Sequence, residues 1–430
     1  MFANRICRIR RLAPLSRRRY SQPTSVYPFS KLRAFPFGLS AEDAVLQMAP
    51  FASMACLFKQ FVGSIGARYL PGFGFKPITP SQIIPVYFPA WTIDAEMQVE
   101  FAYGDTQRTT TGVVHDSYLP GCDFPIISLT SYFSGKLHQE PIPFSQELEN
   151  QYGAEVSCLP YTISPFSVLK IIRELSYQDA TITEDLRFSP SSVKPNLFAA
   201  YPVLIPLYLA RYEYTLPGVN KARELTIFME AASPKGRVFA DGTVGTYAGK
   251  ELRDLMPNGP RSFVSFTQLL DDLNVQVLRG LWHPFVRLSG FLTPDNRGIA
   301  GALATWLDDA LGAQGTAKKL ASKSGTISSD SDPRIREFTA DERNTTSNWM
   351  MMGSELASMK RIAEAMKTAN DANRIVTIGA GKTPPKAIFE EALNTLHNKI
   401  TQLEAKRVEA EPAWWKEWIE ISKKSQGASN

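Results

Sequence analysis

The sequence predicts an α+β protein, with a β-rich N-terminal domain containing two related strand and hairpin units, followed by a helical C-terminal region. Three observations predict it. Ile93, Ala95, Met97, Val99 and Phe101 alternate with Thr92, Asp94, Glu96, Gln98 and Glu100, which is the period of a half-buried strand. The segment Ile84-Pro85-Val86-Tyr87-Phe88-x-x-Trp91 recurs 121 residues later as Ile205-Pro206-Leu207-Tyr208-Leu209-x-x-Tyr212. Near the C-terminus, Met352, Met359 and Met366 recur every seven residues, and Phe389, Leu393, Leu396, Ile400 and Leu403 are spaced 4-3-4-3, giving narrow coiled-coil-like stripes.

Taken in order, the first 20 residues form a unit of their own. They hold seven arginines (Arg5, Arg8, Arg10, Arg11, Arg17, Arg18, Arg19) and no acid. Phe2, Ile6, Ile9 and Ala13 fall on one helical face among them. A basic amphipathic segment of this kind predicts a mitochondrial transit peptide, with cleavage before Ser21 after Arg18-Arg19-Tyr20. The whole chain carries a net charge of +5. Without residues 1–20 there remain 40 Lys and Arg against 42 Asp and Glu, a charge of −2. General nucleic-acid binding, which depends on excess positive charge, is therefore not expected.

Ser40 with Asp43 forms a capping box, so a helix follows, and Pro50 is expected to open a second one. Gly72–Pro80 is not helical. The alternating strand turns at Gly104-Asp105, and residues 106–114 return as its hairpin partner. The second copy makes its own hairpin, with a tip at Pro217-Gly218 and a return strand from Leu225 to Met229. Phe263, Phe266, Leu270, Leu273 and Val277 keep helical spacing, as do Ile299, Leu303, Trp306 and Ala310. The predicted organisation is a presequence at 1–20, a β-rich domain at 35–255, a helical segment at 256–312, a linker at 313–333 and a helical hairpin at 346–425. No apolar run reaches the roughly 18–20 residues of a membrane span.

The hairpin of the second copy, from Pro206 to Val238, resembles one found in some bacterial zinc-ribbon proteins. The resemblance covers about 35 residues and carries no catalytic group. This chain lacks the cysteine pairs, so no zinc site is implied. Over its whole length the chain is similar to uncharacterised fungal mitochondrial proteins, which implies the address and no activity.

Catalytic signatures are sparse. Cys7, Cys56, Cys122 and Cys158 form no C-x-x-C. Gly379-Ala380-Gly381-Lys382-Thr383 has Val376 where a phosphate loop needs glycine, and Pro384-Pro385 follows. Gly245-x-x-x-Gly249-Lys250-Glu251 is one residue short and puts Glu251 where magnesium needs a hydroxyl. His115-Asp116 with Cys122 and His138 is the best enzymatic constellation, a Cys–His pair if the fold joins them. Asp94, Glu96 and Glu100 share a strand face and read as a solvated one. No metal or cofactor is expected.

Trp414, Trp415 and Trp418 are three of the seven tryptophans and are the candidate partner-binding residues; the competing reading docks them on the protein's own core. A protein partner and peripheral membrane contact are both compatible with this composition. The expected function is non-catalytic, that of a mitochondrial matrix protein that assembles with or supports a larger complex. The alternative is an enzyme with a site between the two β units.

Fused to a fluorescent protein, residues 1–20 should deliver it to mitochondria, and Arg10→Glu with Arg11→Glu should weaken delivery. A diffuse cytosolic or nuclear signal from the intact fusion would refute the address.

Overall fold

A computed structural model describes residues 30–56, 61–70, 72–122, 140–215, 222–234, 236–241, 263–265, 285–289, 331–371 and 385–427. The expected presequence, most of the expected 313–333 linker, the tip Pro217-Gly218, the stripe 299–310 and both glycine–lysine loops lie outside these residues. So do Cys7, His138 and His283.

The chain runs β1 (Arg33–Ala34), α1 (Ala41–Cys56), α2 (Phe61–Tyr69), β2 (Gln82–Tyr103), β3 (Thr106–Pro120), β4 (Ile142–Pro143), β5 (Asn150–Gln151), β6 (Ala154–Glu155) and β7 (Ser157–Cys158). It continues with α3 (Ser167–Arg173), β8 (Leu186–Phe188), β9 (Lys194–Thr215), β10 (Ala222–Glu230), β11 (Val238–Asp241), β12 (Phe263–Ser265) and β13 (Phe285–Ser289). Three helices end it: α4 (Ala340–Asp371), α5 (Pro385–Glu409) and α6 (Ala413–Gly427). The β-rich N-terminal half and helical C-terminus are those of an α+β protein.

Ser40 caps α1: its hydroxyl accepts the Asp43 amide at 3.2 Å and donates to the Asp43 carboxylate at 2.7 Å. Pro50 does not open a second helix, because α1 runs straight through it. An internal proline costs a helix roughly 3 kcal/mol. Burial of Met48, Ala49, Phe51 and Ala52 on both sides of it offsets that.

The main sheet has the order β12-β11-β10-β9-β2-β3-β13. At its centre β2 and β9 pair antiparallel from Gln82↔Arg211 to Gln98↔Lys194. Both are 22 residues long, far beyond the usual strand of about 5–6. The two related motifs lie against each other here. Ile84 faces Leu209, Phe88 faces Ile205, and Val86 faces Leu207, its own counterpart in the repeat. The repeat is thus arranged about a local two-fold axis at the Val86–Leu207 pair, and each copy continues into its hairpin, β2–β3 or β9–β10.

Five prolines sit in this central region, where proline is normally excluded: Pro195 lies at its end, opposite Met97, and Pro85, Pro89, Pro202 and Pro206 lie within the ladder. Their partners explain the tolerance. Pro85 faces Tyr208, Tyr87 faces Pro206, Pro89 faces Leu204 and Trp91 faces Pro202, all pairs of one alternation class. Backbone groups of that class point away from the β2–β9 seam. The Pro89 carbonyl accepts from Gly121, that of Tyr87 from Leu159, that of Leu204 from Phe35 and that of Pro206 from Ala231. The missing proline N–H groups therefore cost the central ladder nothing. They weaken only the outer edges, where the neighbours β1 and β7 are two residues long.

Two expected helical positions are strands instead. β12 pairs with β11 through Phe239↔Ser265, and β13 pairs with β3 through Phe285↔His115. At Phe263–Ser265 and Phe285–Ser289 an open sheet edge offers each segment a row of backbone partners; Phe266, Leu270, Leu273 and Val277 lie outside the described residues.

Both faces of the central strands are covered, so β2 is buried on both faces from Val86 to Glu96 rather than half-buried. Tyr87, Trp91, Phe198 and Tyr208 share one face. Phe37 packs on Tyr87 and Tyr208, Tyr161 on Trp91, and Phe166 on Phe198. The Tyr161 hydroxyl reaches the carbonyls of Ala90 and Val203 at 3.0 and 2.9 Å, tying the two strands together. The opposite face, with Thr92, Asp94, Glu96 and Tyr201, receives Phe338 and α4.

Helices α4 and α5 form the expected antiparallel hairpin around Leu356, Ala363 and Ile400, with Met359, Leu393, Leu396 and Leu403 packed against them. The seam follows Leu356–Met359–Ala363 rather than the methionine heptads, and Ile362 faces out. Helix α6 then turns back onto the β domain. Trp414 and Trp415 are buried in the main core, and Trp418 packs against it. Trp415 stacks on Trp418 with ring centroids 4.5 Å apart, and Arg334 lies over both Trp418 and Phe166. These rings fill the protein's own core because the turn at residues 410–412 directs α6 toward the 331–338 segment.

Trp415→Ala should cost about 3–5 kcal/mol of stability, read as a large fall in melting temperature, with Trp418→Ala costing less. Equal and negligible effects at both positions would show that the cluster is not core.

Candidate functional site

The most unusual chemistry lies where β2, β3 and α4 meet. Along the β2–β3 hairpin, Ile93 pairs with Ser117 but Ala95 pairs with Val114. Asp94 therefore faces two residues, His115 and Asp116, across a β-bulge. Asp116 adopts a left-handed φ of 50°. Aspartate tolerates that conformation better than most residues, and here it turns the Asp116 amide onto Asp94 Oδ1 at 2.8 Å. His115 Nδ1 stands 3.9 Å from the same oxygen, too far for a hydrogen bond.

Helix α4 closes this site. Thr339 caps the helix, its hydroxyl accepting the Glu342 amide at 3.3 Å, while its own amide donates to the Glu337 carbonyl at 2.8 Å. Glu342 is in turn paired with Arg336. Arg343, Thr346, Met350, Gly353 and Ser354 then form one helical stripe toward the sheet. Arg343 pairs with Asp116 and lies 4.5 Å over the Phe338 ring. One strand pair further along, Glu96 is fully buried and accepts from Arg407 of α5 at 2.5 Å and from Asn196 at 2.9 Å. Arg407 stacks 4.0 Å over Trp349, whose indole donates to the Arg407 carbonyl at 3.1 Å. Gly353 is the contact point: a Cβ there would fall 2.2 Å from Glu96 Oε2 and 2.6 Å from the Arg407 guanidinium.

Asp94 and Glu96 thus do not form the expected solvated face, whereas Glu100, beyond the reach of α4, is exposed. Burial, together with the neighbouring Asp116 charge, pushes Asp94 up to about 7, against the lowering pull of the Asp116 amide and Arg343. Burial also raises Glu96, despite Arg407. Around Asp94, the side-chain oxygens of Thr92, Ser117, Tyr201 and Thr346 are buried without a hydrogen-bond partner of normal geometry. The Tyr201 hydroxyl approaches both Asp94 and Thr346, and burial holds it well above the usual phenol range.

This group can exchange a proton near neutral pH, but Asp94 is only 2% exposed, beneath α4. The expected Cys122 partnership is not formed around His115. Cys122 is buried beside Tyr161, seven residues along β3 and the turn that follows. The partner-binding candidates Trp414, Trp415 and Trp418 sit in the separate α6 cluster. Sequence reasoning missed Arg343, Arg407, Tyr201 and Gly353; the available signal was a glycine in the interior of a long helix, which costs about 1 kcal/mol relative to alanine and so marks a close approach.

The Asp94 value sets a pH dependence. Its folded pKa, about 7, lies above its ordinary 3.8. Between those values the folded protein holds the proton more tightly than the unfolded chain. Stability contributed by this group therefore falls as pH rises through that window and stays flat above it. Asp94→Asn keeps the acceptor for the Asp116 amide and removes the titration. Its melting temperature should exceed that of the unsubstituted protein at pH 8 and approach it at pH 4. A variant destabilised equally at both pH values would contradict the assignment.

No family model, no curated protein and no solved structure matches this chain.

Proposed function

We propose that this is a non-catalytic mitochondrial matrix protein, an assembly or accessory component of a larger complex. In this reading the β domain is a platform and the α4–α5 hairpin is its binding arm. The observation that carries it is the division of the hairpin. Its base, from Arg343 to Ser354 with Arg407, is fixed to the sheet by the ion pairs of Asp116 and Glu96. Its outer part, from Leu356 on α4, is held by a seam of few residues. At about 1.5 Å per residue, α4 extends roughly 25 Å past Ser354. That length exposes Ile362 and Ile388. Apolar side chains on a helical arm are the usual means of engaging another protein. No helix among the described residues is long and apolar enough to cross a membrane.

A second reading, an enzyme with a site between the two β units where the bulge of the β2–β3 hairpin meets Tyr201 of β9, is favoured by the left-handed Asp116 and by a buried carboxyl that titrates near neutrality. One experiment separates the two. Residues 361–397 are replaced by a short Gly/Ser turn, and the full-length and shortened proteins are compared by proximity labelling in living mitochondria. The assembly reading expects the shortened form to lose most of its neighbours while keeping its melting temperature within a few degrees. An unchanged set of neighbours, with a metabolite-induced rise in melting temperature that His115→Ala abolishes, would favour the enzyme.

A further inference from the structure

The segment from α2 to β2 is unlike the rest of the surface. Val62 is 71% exposed, Tyr69 65%, Leu70 50% and Phe73 75%, a concentration of large apolar side chains within twelve residues. Single exposed apolar residues need no explanation, but a contiguous group marks an interaction surface. The loop is held in shape. The Leu70 amide donates to the Gly66 carbonyl at 2.8 Å, and the Phe73 amide to that of Leu70 at 3.4 Å. The Phe75 ring lies against Gly66, where a Cβ would come within 2.5 Å of it. The Ile78 amide donates to the Ser64 hydroxyl at 3.4 Å. Gly72 and Gly74 have φ of +97° and +79°, and open space surrounds both. This left-handed pair leaves Phe73 projecting at the tip while Phe75 anchors the base.

Along this segment of the chain the charge has one sign. Between Asp43 and Asp94 the chain contains no acidic residue, whereas Lys59, Arg68 and Lys76 are basic. Lys76 is exposed, and Arg68 lies 5.3 Å over the Tyr69 ring. Projecting aromatic and aliphatic side chains with flanking cations, in a segment that contributes no acid of its own, complement an anionic lipid surface. The rings enter the boundary between headgroups and acyl chains, while Lys and Arg meet lipid phosphates. A protein partner would have to supply a matching cavity for the projecting ring; a fluid bilayer does not.

We propose that Val62, Tyr69, Leu70 and Phe73, with Arg68 and Lys76, form a wedge that seats the protein peripherally on an anionic membrane. This surface is separate from the helical arm and goes beyond the assembly role.

The test is sedimentation of the full chain with vesicles, either neutral phosphatidylcholine or phosphatidylcholine with anionic phospholipid. Because residues 1–20 are themselves basic and amphipathic, every protein compared carries Arg10→Glu and Arg11→Glu. The expected result is binding to anionic vesicles that exceeds binding to neutral ones. Phe73→Ser should lower the partition coefficient about tenfold, as expected for withdrawing one aromatic side chain from an apolar phase. Lys76→Glu should lower it about fivefold or more on anionic vesicles only. Phe73→Trp should preserve it. Phe73 and Lys76 are exposed, so the melting temperatures of all variants should stay unchanged, which separates lost binding from lost folding. Absence of vesicle binding, equal binding to neutral and anionic vesicles, or Phe73→Ser and Lys76→Glu variants that both bind as tightly as the parent would each overturn the proposal.

Discussion

Every layer of this fold is referred to the antiparallel seam between β2 and β9. Its hydrogen bonds run through the alternation class of Ile84, Val86, Phe88 and Ala90, and four of its five prolines, all but Pro195 beyond the register shift, occupy the other class. The consequence is a sharp difference between inside and outside. Inside, the ladder is continuous over the length of the repeat. Outside, each strand meets only short partners until its hairpin begins. A central strand with a proline at an inward-facing position would lose a ladder bond and leave a buried carbonyl unsatisfied, at a cost of about 1–3 kcal/mol. Placing all four in one class avoids that penalty and puts Pro85 opposite Tyr208 and Pro206 opposite Tyr87, where side chains approach most closely.

The C-terminal helices attach to this sheet through charge rather than through apolar contact alone. Burying Asp94 and Glu96 is costly, and a hydrophobic interface of equal area could be at least as stable. The ionic contacts fix position. Glu96 accepts from both Arg407 and Asn196, Asp116 pairs with Arg343, and Gly353 lets the α4 backbone close on Glu96. Sliding α4 by one turn would separate Arg343 from Asp116 and bring a side chain where only glycine fits. The orphaned hydroxyls near Asp94 show where this junction is least well satisfied.

What the sequence made legible follows from how local each signal is. The strand from Thr92 to Phe101, the Gly104 turn, the Ser40 cap and the leucine stripe of α5 each act over a few residues, and all appear in the structure, though burial alternates along the strand only from Gln98 to Phe101. The repeat was visible as residues, though its pairing was not, because register depends on both strands together. Asp94 and Glu96 looked solvent-facing because alternation shows which residues share a face and not whether a second layer covers it. His115 and Asp116 were singled out without Asp94, which a bulge brings to them from the neighbouring strand. Trp415 is indistinguishable in sequence from an interface residue, because cores and interfaces use the same aromatic side chains. Residues 263–265 and 285–289 become strands only because neighbouring edges are open to them.

The two-fold arrangement at Val86 and Leu207 has a thermodynamic corollary. A motif that pairs with its own copy about a dyad is isologous, the geometry of a homodimer interface. Here both copies belong to one polypeptide, so a bimolecular association has become unimolecular. The chain between the motifs sets an effective concentration that does not change when the protein is diluted. Pairing of the two halves is therefore insensitive to expression level, and mass action, which governs an ordinary dimer, has no hold on this seam.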